Sequence, residues 1–305
     1  MTPDRAAATI RYVIGIDGGG TGTRARLTGT DGEVLSFAHA GPSALGQGVQ
    51  QAWSNVSQAI ENSFRNANVR TWQPEDCAVG LGLAGAIVAE HKRDFMRAAP
   101  RYAAIELAND GYAALLGAHR GGPGAIVAAG TGSIGEALRE DGEHVSIGGW
   151  GYPVGDEGSG AWLGMRAMRE AQLAADGRAP GGPLVQAVWS VAGNSREALL
   201  AWGEGAGQHA YAALAPLLFD TEATDPRAAQ LLNDAVRALD GIALALDPDG
   251  RLPLVVSGSI GQRLQSRLAP SIRARLVEPA GDAVDGALRL IRARLEGTGR
   301  RFDDR

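Results

Sequence analysis

Two glycine turns, each set after an apolar run, are the parts of this chain best suited to handle a phosphate. The first lies in VIGIDGGGTGTRARL, Val13 to Leu27, and the second in AIVAAGTGSIGEAL, Ala125 to Leu138. Each reads as strand, turn, strand. Glycine at a turn accepts φ > 0 and removes the Cβ that would block close approach. Successive backbone N–H groups can then surround an anion. Neither turn contains lysine, and Lys92 is the only lysine of the chain. Phosphate charge would therefore be met by N–H groups, by the hydroxyls of Thr21 and Thr131, and by a divalent cation. Asp17, closing the first apolar run, is placed to hold Mg²⁺ through water; its other reading is an Asx turn residue. Asp110 follows a short apolar run and opens a small-residue helix, where a carboxylate gains from the helix N-terminus. It suits a general base that takes a hydroxyl proton, and equally a helix cap.

The elements that must aim these groups follow from periodicity. Tyr12–Thr28 reads as a hairpin, Gly32–His39 as a third strand, and Gln50–Asn66 as a helix with Ala52, Val56, Ala59, Ile60 and Phe64 on one face. Cys77–Leu83 and Ile105–Ala108 read as strands and Gly111–Ala118 as a helix. The pattern then restarts. Strands fall at Ala125–Ala129, Ile134–Arg139 and Val145–Gly148, and a buried strand at Leu254–Ser257. Helices fall at Gly160–Ala175, Arg196–Gly203, Gln208–Phe219, Pro226–Leu246 and Asp282–Leu295. The run Asp176–Pro183 breaks the helices between them. The final helix, DAVDGALRL, is similar to NDGYAALLG after Asp110, and both carry small residues that allow close crossing. The last helix is expected to pack back on the first domain. The first eight or so residues read as a loose tail.

With 305 residues, 45% hydrophobic and 21% charged, the chain suits two globular domains of about 150 residues each. The domains are expected at residues 1–118, completed by the helix 282–305, and at 119–281. A net charge of −5 argues against a nucleic-acid surface. The single cysteine, Cys77, rules out an internal disulfide or a cysteine-only metal cluster within one chain. The five histidines, among them His144, lack ligand spacing and read as surface or capping residues. With no signal-like run at the start and no apolar span, a cytoplasmic protein without membrane contact is expected.

The order of motifs resembles the acetate and sugar kinase, Hsp70 and actin superfamily. They are Asp17-Gly-Gly-Gly-Thr-Gly-Thr23, Gly130-Thr-Gly-Ser133, Val256-Ser-Gly-Ser-Ile-Gly261 and the helices after Asp110 and Asp282. Gly148-Gly-Trp-Gly-Tyr-Pro-Val-Gly-Asp-Glu-Gly-Ser-Gly160 is similar to the signature of the N-acetylglucosamine and glucosamine kinases, a BadF/BadG/BcrA/BcrD-type group. The resemblance runs from about Tyr12 to Leu295. It implies a duplicated ribonuclease H-like α/β fold of two domains with a nucleotide cleft between them. It implies ATP and Mg²⁺ as cofactors and phosphorylation of the 6-hydroxyl of an amino sugar.

On this resemblance Gly18, Gly19, Gly20, Thr21, Gly130, Thr131, Gly132, Gly258 and Ser259 contact the nucleotide, and Asp17 the metal. Asp110 is the base. Ser43, Asn109, Gly149, Trp150, Gly151 and Asp156 join it around the sugar. Taken alone, Trp150 also reads as core and Ser259 as a turn serine. One loop departs from the pattern. Where related kinases carry a sugar-binding Asn, Gly41-Pro-Ser-Ala-Leu-Gly46 places Leu45, with Ser43 and Gln47 the nearby polar groups. Restoring Asn there is expected to change the sugar KM more than the ATP KM. A homodimer is common in such kinases, though no interface is legible here. Two rivals share the turns. One is an ATPase activator of 2-hydroxyacyl-CoA dehydratase-type enzymes, which needs cysteines for a bridging cluster. The other is a non-catalytic nucleotide or sugar sensor. The choice between N-acetylglucosamine and glucosamine stays open.

Overall fold

The computed structural model describes residues 10–297. The expected N-terminal tail, and the part of 282–305 beyond residue 297, lie outside the described residues. Two compact units result: one runs to Gly122 and resumes at Glu278, and the other is Pro123–Val277.

The first unit contains β1 (Tyr12–Gly18), β2 (Thr23–Gly29), β3 (Val34–Ala40), α1 (Val49–Asn66), β4 (Cys77–Leu83), α2 (Ala89–Arg97), β5 (Ala104–Ala108) and α3 (Asp110–Ala118). The second contains β6 (Gly124–Ala129), β7 (Ser133–Leu138), β8 (His144–Gly148), α4 (Gly160–Ala175), α5 (Pro183–Ala192), α6 (Arg196–Gly205), α7 (Gln208–Ala212), α8 (Ala215–Thr221), α9 (Pro226–Leu246), β9 (Leu254–Ser257), α10 (Ser259–Leu264) and α11 (Pro270–Arg273). The last helix, α12 (Ala283–Leu295), returns to the first unit.

Both sheets follow one plan. In the first, order β3-β2-β1-β4-β5, an antiparallel meander of β1 to β3 continues into parallel β4 and β5. In the second, order β8-β7-β6-β9, the meander β6 to β8 takes parallel β9 beside β6. A parallel step needs a crossover, which α1 supplies before β4. The meander puts a tight turn at the end of β1 and again at the end of β6, where the glycine turns lie.

The first sheet is buried on both faces. Ile14, Ile16, Leu27 and Leu81 meet Val56, Ile60 and Phe64 of α1 on one side. Val13 and Ala78 meet Leu288 and Ile291 of α12 on the other. Close approach, rather than bulk, seats α12. A Cβ on Gly80 would stand 2.0 Å from the Ala287 carbonyl oxygen, and one on Gly286 would stand 1.7 Å from that of Ala113 in α3. The second unit packs its core on α9, whose Leu231, Leu232, Ala235, Leu239, Ile242 and Leu246 form one apolar stripe. Asp225 caps α9 through Arg227 N (2.9 Å) and also accepts Leu184 N (2.8 Å), fixing the start of α5. Among the described residues no helix is long and apolar enough to cross a membrane.

Candidate active site

In the first unit the glycine turn joins β1 to β2. The carbonyl of Gly18 accepts Ala84 N at 2.9 Å, and that of Gly19 accepts Ser43 N at 3.0 Å and Ala44 N at 3.2 Å. The carbonyl of Gly20 accepts Gln47 Nε2 at 3.2 Å. Three successive oxygens that would repel an anion are thus engaged by the protein. A side chain at Gly18 is excluded, since its Cβ would stand 2.0 Å from Ser43 Oγ. Ser43 is 1% exposed, with its hydroxyl 2.7 Å from Thr23 Oγ1, so it braces this turn from beneath. Thr21 is exposed at the tip, and Asp17, Gly19, Thr21, Arg24 and His39 line an open depression beside it.

Asp17 Oδ2 accepts Arg24 Nε at 2.9 Å and Nη2 at 2.7 Å, and Arg24 Nη1 reaches Asp282 Oδ2 at 3.2 Å. Asp282 caps α12 in a reciprocal pair with Asp285, and Arg26 pairs with both acids. Burial pushes the Asp285 carboxyl up, but the Asp282 backbone N–H and the Arg26 guanidinium outweigh it and hold it below the usual range. With Oδ2 taken by Arg24, Asp17 offers Oδ1 beside the phosphate turn, which fits Mg²⁺, an ion that keeps its waters and takes one or two carboxylates with substrate phosphates. Among the described residues no three His, Cys, Asp or Glu side chains gather as a metal-holding group.

Asp110 is the first residue of α3. The cap belongs to its neighbour: the Asn109 side chain accepts Tyr112 N. Asp110 therefore stands in the first turn, at the positive end of the helix, without being the capping residue.

Leu45 redirects one expectation. It is 2% exposed and sits in the core with Val56 and Leu81. Its backbone N–H is taken by the Ala84 carbonyl at 2.8 Å. Leu45→Asn would bury an amide in an apolar pocket, so it is a stability substitution before it is a specificity one. It is expected to cost about 3 kcal/mol, read as a lowered thermal midpoint.

In the second unit the turn Gly130–Gly132 is docked on the start of α4. The Gly130 carbonyl accepts Gly160 N at 2.8 Å, the Thr131 carbonyl accepts Ala161 N at 3.1 Å, and Ser133 Oγ donates to the Glu157 carbonyl at 2.8 Å. Ser159 caps α4 through Trp162 N. Gly258 passes close to β6, where a Cβ would stand 2.3 Å from the Ala129 carbonyl oxygen, and Ser259 is exposed at the first turn of α10.

Gly149, Trp150 and Gly151 follow β8. Trp150 is 84% exposed, which removes the reading of a core tryptophan. Asp156 is 5% exposed and has φ +60, a left-handed conformation that Asp tolerates better than most residues. Its carboxylate accepts Gln208 Nε2 at 2.9 Å, and the backbone N–H groups of Ser133 and Gly151 also favour its ionised form. Burial pushes this carboxyl above its ordinary value against those three donors.

Two features went unread in the sequence. Gln208, on α7, reaches Asp156 across 52 positions of chain. His144 is not simply a surface or capping residue, for its Nε2 lies 2.6 Å from Oε2 of the fully buried Glu136, which Ser146 Oγ also meets. The register of β7 and β8 pairs Glu136 with Ser146, and strand alternation would have put His144 on the same face.

The family model described as the BadF/BadG/BcrA/BcrD ATPase family matches residues 14–272, and the chain belongs to that family. It is similar to the glucosamine kinase GspK of Vibrio cholerae, 36% identical over 280 residues that cover 92% of this chain and 95% of that one. It is also similar to the N-acetylmuramic acid/N-acetylglucosamine kinase of Clostridium acetobutylicum, 35% identical over 174 residues, 55% of this chain and 56% of that one. A crystal structure of a candidate N-acetylglucosamine kinase from Chromobacterium violaceum is 48% identical, with a TM-score of 0.89, covering 92% of this chain and 99% of that one. The fold is the duplicated ribonuclease H-like one, shared at 17% identity and a TM-score of 0.53 with a ROK family glucokinase from Streptomyces griseus.

Proposed function

We propose that the chain transfers the γ-phosphoryl group of ATP to the 6-hydroxyl of an amino sugar, N-acetyl-D-glucosamine or D-glucosamine. The observation that carries this is Ser133, at the close of the second glycine turn, whose carbonyl accepts Gly149 N of the Gly-Trp-Gly segment at 3.1 Å and whose Oγ donates to the Glu157 carbonyl, next to Asp156, at 2.8 Å. A phosphate loop and a segment with an exposed indole are thereby held in one rigid piece. The relatives named above support the same substrate class.

The residues divide the work. Gly19 N and Gly130 N close the two turns on the Gly22 and Gly132 carbonyls, and the remaining N–H groups of Gly18 to Gly20 and Gly130 to Gly132, with the Thr21 and Thr131 hydroxyls, hold phosphate oxygens, while Gly258 and Ser259 flank the nucleoside. Asp17 would hold Mg²⁺ through water, and the ion would neutralise charge on the phosphates. Asp110 accepts the proton of the sugar hydroxyl as phosphoryl transfer proceeds. Asn109 anchors the turn that presents Asp110. Trp150 offers an apolar ring to the sugar face, and Asp156 accepts from sugar hydroxyls. Ser43 takes a bracing part under the first turn, in place of the sugar contact expected from the motif. ATP as donor supports a cytoplasmic setting, and the same resemblance extends to a homodimer.

An ADP-release assay with Mg·ATP and a panel of N-acetylglucosamine, glucosamine, N-acetylmannosamine and glucose tests the reading. Strong turnover with one amino sugar is expected. Slow release indifferent to every sugar would replace the kinase with a sensor or an activator. The activator reading fits Cys77 poorly: it is the chain's one cysteine, it is buried, and burial pushes its thiol up to about 12.

A further inference from the structure

We infer that Gln208 is the positioning residue for Asp156 and sets the affinity for the sugar without touching the nucleotide. The inference rests on the sugar-kinase reading above. Three protein groups favour the Asp156 carboxylate, and two are backbone N–H groups that no substitution removes. The third is the Gln208 amide, 2.9 Å from Oδ2. An ionised carboxylate offers about four lone-pair directions, and Gln208 takes one on Oδ2, so a direction remains for a sugar hydroxyl. Which direction remains depends on how the carboxylate is rotated, and Gln208 is the side chain that sets the rotation.

The support for Gln208 is itself built. It is the first residue of α7, a helix of five residues clamped on α4. A Cβ on Gly164 of α4 would stand 1.8 Å from the Tyr211 carbonyl oxygen, so glycine there is what lets α7 come this close. The Tyr211 ring also lies 5.9 Å from that of Tyr152 and 5.2 Å from that of Trp202. On the other side of the amide, a Cβ on Gly132 would stand 2.6 Å from Asp156 Oδ2 and 3.2 Å from Gln208 Nε2. The second glycine turn, the acid and the amide thus meet at one point, and glycine at 132 leaves room for it.

The groups acting on Asp156 sort by sign. Burial and the neighbouring Glu157 favour the protonated acid, and the Ser133, Gly151 and Gln208 donors favour the carboxylate. The Tyr211 hydroxyl, on the same short helix as Gln208, is pushed up by burial. Removing the Gln208 donor must therefore shift Asp156 toward protonation at a given pH.

The test measures kcat and KM for sugar and for ATP across pH in Gln208→Ala, Gln208→Glu and Asp156→Asn. Gln208→Ala is expected to raise the sugar KM about tenfold, the worth of one hydrogen bond to a charged group. The ATP KM should stay within about twofold, and the acid limb of kcat/KM for sugar should move to higher pH. Gln208→Glu keeps the shape but sets two carboxylates together. It is expected to bind sugar worst at neutral pH and to recover as the pH falls, when a shared proton restores a donor to Asp156. If Gln208→Ala does not fold, the recovery of Gln208→Glu on acidification decides alone. Unchanged sugar KM and pH profile in the Gln208 variants, with sugar binding lost in Asp156→Asn, overturns the role of Gln208 and leaves the kinase reading standing. An unchanged sugar KM in Asp156→Asn overturns the sugar contact of Asp156 and with it the role of Gln208, whereas the absence of sugar-dependent turnover in the parent protein overturns the kinase reading itself.

Discussion

Asp110→Asn is expected to lower kcat by about a hundredfold or more while nucleotide affinity stays within about twofold, as general-base catalysis contributes on the order of 10²–10⁴. The substitution is nearly isosteric. The cap of α3 comes from Asn109, so Asp110→Asn leaves that capping hydrogen bond in place. A loss of activity therefore cannot be put down to a frayed helix, and helicity and thermal midpoint provide the control. Single-turnover rates with saturating sugar, beside titration of a fluorescent ATP analogue, separate the chemical step from binding. Retention of kcat within about tenfold of the parent would place the base elsewhere.

The second large effect concerns a glycine pair. Gly286→Ala sets a methyl 1.7 Å from the Ala113 carbonyl oxygen and 2.8 Å from Gly117 N, all backbone atoms of α3. Backbone cannot swing aside as a long side chain does, so α12 must move off α3. Replacing a mid-helix glycine by alanine gains about 1 kcal/mol in propensity, and overpacking costs about 1–3 kcal/mol and sometimes more. The clash wins, and a loss of about 2 kcal/mol is expected, or a fall of roughly 4–8 °C in thermal midpoint for a unit of this size. Gly241, in α9, is the built-in comparison. It has nothing within 4 Å of its Cβ position, so Gly241→Ala should raise the midpoint by the propensity gain alone. Equal shifts in the two variants would mean that close packing is not what Gly286 is for.

Much of this arrangement could be read from residue order because the periodic signals were strong. The apolar stripe of α9 and the wholly buried β4 stand where their patterns placed them, Pro226–Leu246 and Cys77–Leu83. Elsewhere local chemistry overrode the pattern. The run expected as one helix, Gln208–Phe219, divides into α7 and α8 because Pro216 lacks the N–H that continuation requires. The helix α2 went unread because, of its nine residues, Phe95 alone is buried. Leu45 illustrates the limit for the site: a motif position marks where a residue falls in the chain, while burial decides whether it faces a substrate. The partnership of Gln208 with Asp156 spans 52 positions and leaves no local trace, since α7 is brought there by the small surface of Gly164.

The return of α12 to the first unit bears on how the chain is made. As synthesis passes Gly122, the sheet strip around Val13 and Ala78 has no cover, because Leu288 and Ile291 have not yet been added. The whole of Pro123–Val277 must leave the ribosome first, which takes on the order of ten seconds at about 5–20 residues per second. During that interval the strip is a sticky apolar surface open to chaperones or to a neighbouring nascent chain. Early folding of Pro123–Val277 shortens the effective tether between the strip and its helix, because a folded insert brings its two ends into a fixed relation. The order of translation thus leaves the first sheet to be closed last.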